Sequence, residues 1–393
     1  MKLSTRISSI EASATLAVSA RAAAMQAEGI DVVAFGAGEP DFPTPRHIVE
    51  AAKRALDEGQ TKYPKPASGL LVLKGAIREK LRRENGLEYS PDQVIVTVGG
   101  KMACAMAIQA VINPGDEVII PVPYWVSYPA MVKLAGGVPV FVNGDEEKSF
   151  CLRPEQIRDA ITKRTRALLM NSPSNPGGFM YSPDQIRAIA EAVSGPDITV
   201  ISDEIYDRLV YGDRRHLSFA AVGEDAFDRT ITINSASKTY SMPGWRLGFA
   251  AGPAEVVKAM AKLQSQGTSG AATFAQIAYA HALTEDQSCV DEMRTEYARR
   301  GPYMHAKLNE ISGLRCVEPA GAFYCFPNVG GTYARLGVQG SVEFADRLIN
   351  EAHVAVVPGV AFGMDSHVRL SFATNREQIE KGLTRLADFV GRS

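Results

Sequence analysis

The sequence predicts an α/β fold: a large domain built on a mostly parallel sheet sandwiched by helices, plus a smaller α+β domain. Three observations carry this expectation. Short, almost continuously apolar runs such as residues 94–98, 117–121 and 167–170 alternate with segments of helical period. Strands covered on both faces lose the in–out alternation of a half-exposed sheet, and strand–helix alternation favours crossover connections and parallel pairing. From about Leu314 the pattern changes to the short strands and helices of a separate unit.

In chain order, a strand at 94–98 precedes a helix at 101–111, and a strand at 117–121 precedes a helix at 126–134. A strand at 138–142 follows, then a strand at 167–170 and a helix at 183–192. Strands at 198–202, 230–234 and 247–251 complete the sheet. Two long helical stretches come next, at 254–283 and 286–311, and no Gly/Ser linker, low-complexity tract or repeat marks a joint. The border is therefore placed by pattern near residue 290. The expected division is a large domain at 47–290 and a small one made of 1–46 with 291–393.

Composition removes several functional classes. Of the 393 residues 46% are hydrophobic and 22% charged, the balance of a globular chain with a sizeable core. Lys+Arg 42 against Asp+Glu 44 leaves −2, which is no electrostatic footprint for nucleic acid or an anionic membrane. Cys104, Cys151, Cys289, Cys316 and Cys325 are scattered and never spaced CxxC, which reads as reduced thiols in a cytoplasmic protein. The histidines form no HxxxH or HExxH pair, so no metal site is expected. No run approaches the roughly 18–20 apolar residues that cross a bilayer. The Ala-rich start after Lys2 and Arg6 is interrupted by Glu11 and Arg21, and reads as an ordinary helix rather than a leader.

Several residues could carry chemistry. Gly99-Gly100 sits between a strand and a helix, where backbone N–H groups bind phosphate, although a glycine pair there is more often just a tight turn. GxGxxG and GxxxxGK[ST] are both absent, which argues against a dinucleotide fold or P-loop. Asp203 ends an apolar strand, the place where open α/β sheets bind ligands; it could neutralise a cationic ring nitrogen or simply cap a helix. Lys238, in Ser235-Ala-Ser-Lys238 after another strand, could be a Schiff-base nucleophile if its surroundings lower its pKa; taken alone, such a residue is more often a surface lysine. Arg246 adds a cation suited to phosphate. The segment from Asn171 to Gly177 is a Pro-rich loop whose Asn175-Pro176 bond is a candidate cis bond. Arg369 lies in an apolar run, and its planar fork matches a carboxylate, although a lone strand arginine is commonly a solvated edge residue.

Taken together, these segments resemble the class I, fold-type I aminotransferases that depend on pyridoxal phosphate, and within them the bacterial aspartate and prephenate subgroup. The matching segments include Ser13-Ala-Thr-Leu-Ala, Gly36-Ala-Gly-Glu-Pro-Asp-Phe, Thr61-Lys-Tyr63 and Val98-Gly-Gly-Lys101. Pro123-Tyr-Trp-Val-Ser-Tyr-Pro129, Ser202-Asp-Glu-Ile-Tyr206, Ser237-Lys238 and Gly244-Trp-Arg-Leu-Gly248 continue the series. Gly321-Ala-Phe-Tyr324, Val357-Pro-Gly359 and Arg369-Leu-Ser-Phe-Ala373 close it, so the likeness runs over about residues 10–390.

The resemblance implies roles residue by residue. Lys238 holds pyridoxal phosphate as an internal aldimine and moves the substrate's proton, while Asp203 keeps the pyridine nitrogen protonated. Tyr206 and Asn175 bond the phenolic oxygen, and Trp125 stacks on the ring. Gly100, Ser235, Ser237 and Arg246 hold the phosphate, with Lys101 beside them. Tyr63 reaches the phosphate of a neighbouring subunit, which implies a homodimer with shared sites. Arg369 binds the substrate α-carboxylate, aided by Asn175 and the backbone near Gly38. Lys101 and Thr15 would read the distal carboxylate of aspartate or glutamate. Val122-Pro123 joins Asn175-Pro176 as an expected cis bond.

The sequence departs from the subgroup at Asn175-Pro-Gly-Gly178, at Pro243, in the loop after Tyr63 and at 265–273. The last two border the substrate and interface and bear on the choice of donor. Transamination between an L-amino acid and a 2-oxo acid is the expected activity. Other expectations are an aromatic or prephenate donor, or a carbon–sulfur lyase on the same fold. A ligand-sensing regulator would need an appended basic DNA-binding domain.

Overall fold

The computed structural model describes residues 2–195 and 197–391. Among them are twelve strands: β1 (Val33–Ala34), β2 (Val94–Thr97), β3 (Glu117–Val122), β4 (Val138–Asn143), β5 (Thr165–Asn171), β6 (Thr199–Asp203), β7 (Thr230–Ser235), β8 (Gly248–Ala251), β9 (Tyr324–Cys325), β10 (Val354–Ala355), β11 (Val357–Pro358) and β12 (Val368–Ser371).

The large sheet has the order β2-β8-β7-β6-β5-β3-β4. Strands β3 to β7 pair in parallel, whereas β8 runs antiparallel to both of its neighbours, β2 and β7. The carboxyl ends of β2, β5, β6 and β7 therefore share one edge with the beginning of β8. That geometry brings residues far apart in sequence to a single crevice. β2, β7 and β8 are buried along their whole length; β2 and β8 are almost wholly apolar, whereas β7 also buries the polar Thr230, Thr232, Asn234 and Ser235. β4 is the exception: it lies at the sheet edge and alternates between exposed and half-buried positions.

Gly248 shows why the sheet closes so tightly here. It is registered between Thr97 and Ser235, and a Cβ on it would lie 2.5 Å from the Gly100 nitrogen. No larger residue fits between β8 and the turn after β2.

The helical expectations need three corrections. The stretch 254–283 is two helices, Ala254–Gly267 and Thr273–Thr284, interrupted where Ser269 (φ 58°) and Gly270 (φ 102°) turn left-handed. The helix expected at 126–134 begins at Tyr128, with proline in its first turn, where a missing N–H is harmless. The helix expected at 101–111 starts at Gly99.

Two apolar cores meet along the helix Ser288–Asn309. Val290 packs with Val94, Phe249 and Tyr279 under the large sheet, whereas Met293 and Tyr297 pack with Val33, Phe35, Phe323 and Phe372. The second core includes β9 and β12 of the antiparallel sheet β11-β12-β9, and Val33 of β1 facing Val354 of β10 in the parallel pair β1–β10. The helix Ala14–Ala27 is held to this unit by Arg21, which pairs with Asp346 at 2.5 Å and donates to Asn350 at 2.9 Å. No helix among the described residues is long and apolar enough to cross a membrane.

Candidate active site

A cavity of about 470 Å³ opens at the crevice where the strands end. Asp203, the last residue of β6, lies in its wall and is buried. The Tyr128 hydroxyl donates to Asp203 Oδ2 at 2.7 Å, the Cys104 thiol approaches the same oxygen at 3.6 Å, and the Ile205 N–H donates to Oδ1 at 3.3 Å. Burial pushes the Asp203 carboxyl up to about 6, with these donors pulling the other way.

Lys238 is placed by β7. The chain leaves that strand at Ser235, whose hydroxyl accepts from the Ser237 N–H at 3.1 Å and caps the short helix Ala236–Thr239. The Lys238 ammonium donates to the Gly38 carbonyl. Desolvation pulls its pKa down to about 8; Arg369 and Arg246 act in the same direction, against Glu39 and Asp203.

Arg369 on β12 is buried. Its Nη1 donates to Asn175 Oδ1 at 2.9 Å and its Nη2 to the Gly36 carbonyl at 2.8 Å, while Nε has no hydrogen-bond partner among the described residues. The guanidinium lies 4.5 Å from the Tyr324 ring centroid and 5.3 Å from that of Phe362. Among the described residues no carboxylate pairs with it; burial pulls its pKa below the ordinary guanidinium value, with Tyr324 and Tyr206 acting the other way. A buried cation without a counter-ion is expensive, so an anionic ligand would be stabilised beside it. Tyr206 and Tyr324 share a hydrogen bond of 3.0 Å between hydroxyls.

Asn175 is held by Asn171, whose Oδ1 accepts the Asn175 N–H at 2.9 Å and whose Nδ2 donates to the Asp203 carbonyl at 3.0 Å. The expected cis bond at Asn175-Pro176 is corrected: that bond is trans, because the chain makes a helical turn closed by the Gly178 N–H on the Ser174 carbonyl at 2.9 Å. Cis bonds occur at Ser172-Pro173, at Val122-Pro123 as expected, and at Lys65-Pro66.

The phosphate elements also meet. Gly99 has φ 81°, and a Cβ there would sit 2.6 Å from Arg246 Nη2; a Cβ on Gly100 would meet Ser235 Cβ at 3.5 Å. Arg246, itself left-handed at φ 57°, is anchored through Nη1 to the Pro243 carbonyl at 2.8 Å. Ser235 and Arg246 thus flank the N-terminus of the helix Gly99–Val111, an arrangement that suits a dianion, while Ser237 lies in the short helix that Ser235 caps.

Lys101 stands at the cavity rim with its ammonium 5.0 Å from the Trp125 ring centroid, and Trp125 meets Tyr128 edge-on at 5.2 Å. Thr15, half-buried in the first turn of Ala14–Ala27, lines the same cavity, as does Gly38. Tyr63 is 79% exposed and not among the residues lining this cavity. Tyr128, Cys104, Tyr324 and Glu39 belong to the site without having been assigned to it from sequence. Cys104 lies one helical turn beyond Gly100, so the helix period carried a signal for it.

These groups suit pyridoxal phosphate: a dianion cradle, a buried carboxylate for a cationic ring nitrogen, a lysine of depressed pKa, and an unpaired arginine for a carboxylate. Lysine and aspartate at strand ends of such a sheet, with an arginine supplied from the second core, define a pyridoxal-phosphate-dependent enzyme of fold type I. Residues 30–386 match the family model of aminotransferases class I and II, and the chain belongs to that family. It is 45% identical over 390 residues to the aspartate aminotransferase of Bacillus subtilis (strain 168), covering 99% of both chains. It is 46% identical over 394 residues to the aspartate/prephenate aminotransferase of Thermus thermophilus, covering 100% of this chain and 99% of that one. Among solved structures, the aspartate aminotransferase from Rhizobium meliloti superposes with a TM-score of 0.95 at 42% identity, over 100% of this chain and 99% of the other. The Thermus thermophilus aspartate aminotransferase with maleate gives 0.94 at 45%, over 99% and 100%. The chain is an aminotransferase that uses pyridoxal phosphate.

Proposed function

We propose that the amino donor is an acidic L-amino acid, aspartate or glutamate, and that the acceptor is a 2-oxo acid in a ping-pong cycle. One observation carries the choice: the cavity holds a buried, unpaired guanidinium at Arg369 and a second cation, Lys101, at its rim. Two carboxylates on one small molecule match two separated cations. The relative solved with maleate, a dicarboxylate, supports the same chemistry.

In this reading Arg369 and Asn175 hold the α-carboxylate, with the backbone at Gly38 beside it. Lys101 and Thr15 receive the distal carboxylate. Gly100, Ser235, Ser237 and Arg246 hold the cofactor phosphate, Trp125 covers the ring, Asn175 and Tyr206 bond its phenolic oxygen, and Asp203 faces its ring nitrogen. Pyridoxal phosphate supplies an electron sink for the pair left at the donor's Cα when the proton departs. Lys238 is the base that takes this proton. With a pKa near 8 it has a substantial neutral fraction at neutral pH, which an ordinary lysine lacks.

Further parts of the reading rest on placement. The change of core between Val290 and Met293, and the β1–β10 pair, support a large domain at 47–290 and a small one from 1–46 with 291–393. Tyr63 rides on a loop pinned by Thr273 Oγ1 to the Lys62 carbonyl at 2.6 Å, which supports its presentation to the site of a second subunit in a homodimer. The five cysteines are all free, which supports a cytoplasmic enzyme.

A second donor class is favoured by the cavity wall under Ala14–Ala27, where Leu16, Val18, Ala22 and Ala355 are apolar; the Thermus relative's name includes prephenate. The deciding experiment is kcat/KM for aspartate, glutamate, phenylalanine and tyrosine against 2-oxoglutarate and oxaloacetate. Acidic donors are expected to lead. Aromatic donors leading by tenfold would overturn the choice, and a β-thioether amino acid split to a thiol, pyruvate and ammonia without any acceptor would identify a carbon–sulfur lyase.

A further inference from the structure

Two side-chain donors outside the assigned machinery converge on one oxygen of Asp203. Tyr128 is 1% exposed, and its hydroxyl lies 2.7 Å from Oδ2; the Cys104 thiol lies 3.6 Å from the same atom. Among the described residues, Oδ1 accepts only the backbone N–H of Ile205, at 3.3 Å, a long contact for an N–H···O bond. The two oxygens of one carboxylate are therefore in unequal surroundings.

We propose that Tyr128, with Cys104 as a weaker second donor, is a positioning residue for the reaction: it saturates Oδ2, keeps Asp203 ionised, and leaves Oδ1 for the cofactor's ring nitrogen. The inference rests on the reading of Asp203 given above. Geometry and chemistry both support it. The Tyr128 ring is locked edge-on against Trp125 and packed with Met131, Val132, Ile120 and Leu169, so the hydroxyl stays on its partner. Burial, with the Asp203 charge beside them, drives the acidities of Tyr128 and Cys104 well away from ionisation, so both remain proton donors. Hydrogen bonds to the charged form lower a carboxyl pKa, and here they oppose a burial effect that alone would protonate the group. Glu204 and Tyr206 on the same segment and Lys238 across the cavity complete the titratable groups acting on Asp203. An Asp203 that took a proton for itself would no longer hold the ring nitrogen in its protonated form.

The test is Tyr128→Phe, which keeps the ring and removes the hydroxyl, with Cys104→Ala and Asp203→Ala beside it. Three quantities are read: apoenzyme affinity for pyridoxal phosphate by absorbance titration, the pH midpoint of the bound cofactor's visible band, and the split between kcat and KM. Tyr128→Phe is expected to bind the cofactor roughly tenfold more weakly, the size of one hydrogen bond to a charged group. Its midpoint moves to higher pH, and kcat falls while the donor KM holds. Cys104→Ala moves the first two quantities in the same direction by less. A residue that only filled the core would change the melting temperature and leave the midpoint alone. Wild-type affinity and midpoint in Tyr128→Phe, beside a defective Asp203→Ala, would overturn the inference alone. A wild-type Asp203→Ala would overturn the reading of Asp203 and this inference with it. Should Tyr128→Phe not fold, Cys104→Ala decides, and an unmoved midpoint and affinity there would overturn it.

Discussion

Arg369 Nη1 donates to Asn175 Oδ1 at 2.9 Å, which ties a strand of the second core to the turn that follows β5 of the large sheet. The amide is a neutral partner. It orients the guanidinium without cancelling its charge, so the cation remains available to a carboxylate from outside. Nε, buried and unpartnered, adds a further donor.

Asn175→Asp tests this relationship. A carboxylate at that position would pair with the buried guanidinium, offset its desolvation and compete with the ligand. The variant is expected to melt higher than the wild-type apoenzyme, with KM raised roughly tenfold or more for every amino donor, acidic or apolar. A KM within twofold of wild type, measured in steady state with a saturating 2-oxo acid, would remove Arg369 from the α-carboxylate site.

Asp203 yields a prediction about pH. Its folded pKa is about 6, above the unfolded value near 3.8, so between these values the folded apoenzyme binds more protons than the unfolded chain. The contribution of Asp203 to stability is therefore full below about 3.8 and lost as pH rises through about 6. Asp203→Asn removes this dependence. The variant apoenzyme should melt higher than wild type at pH 7.5, and the gap should close as pH falls toward 4. Calorimetric scans of the two apoenzymes at several pH values check it; a gap independent of pH would show that Asp203 keeps an ordinary carboxyl pKa. The same variant should bind pyridoxal phosphate worse, since it exchanges a functional charge for stability.

Much of this site could be read from the chain because chemistry and chain direction coincide. Asp203 and Lys238 sit where apolar strands stop, and strand ends are legible as the last residue of a β-rich run. The contacts that escaped are those made across long sequence separations. Tyr128 reaches Asp203 over 75 residues and Cys104 over 99, and each reads locally as core. The break at 268–272 was hidden for a related reason. Apolar periodicity continues on both sides of it, and Gly270 is held by tertiary contacts, its Cβ position lying 2.7 Å from the Ala67 carbonyl and 2.8 Å from Pro64. The trans bond at Asn175-Pro176 follows from a backbone hydrogen bond that a Pro-rich string does not announce.

Gly99 and Gly100 look equivalent in sequence and are not equivalent in the fold. Gly99 has φ 81° and has Arg246 Nη2 2.6 Å from its Cβ position, whereas the first contacts of a Cβ on Gly100 lie at 3.4 Å or more. Gly99→Ala should therefore cost about 1–2 kcal/mol in backbone strain and push Arg246 off the cradle. Gly100→Ala should leave the apoenzyme's melting temperature nearly unchanged. Phosphate-dependent retention of the cofactor, followed by dialysis against inorganic phosphate, should fall sharply for Gly99→Ala. Equal behaviour of the two variants would mean that the turn does not shape the anion site.

Lys101 tests the substrate. Its ammonium stands at the rim over Trp125, and among the described residues no salt bridge is formed with a carboxylate, so its charge is available to a ligand. A charge-assisted bond contributes roughly 1.5–3 kcal/mol, which is about a tenfold to hundredfold change. Lys101→Ala should lower kcat/KM for aspartate and glutamate by about that factor, and leave phenylalanine within a few-fold of wild type. The contrast with Asn175→Asp matters: disturbing the Arg369 end penalises every donor, whereas disturbing the Lys101 end penalises only those with a distal carboxylate. A loss shared equally by aspartate and phenylalanine would assign Lys101 to the cofactor or the fold. No loss with either donor would return it to the solvent-facing surface of its helix.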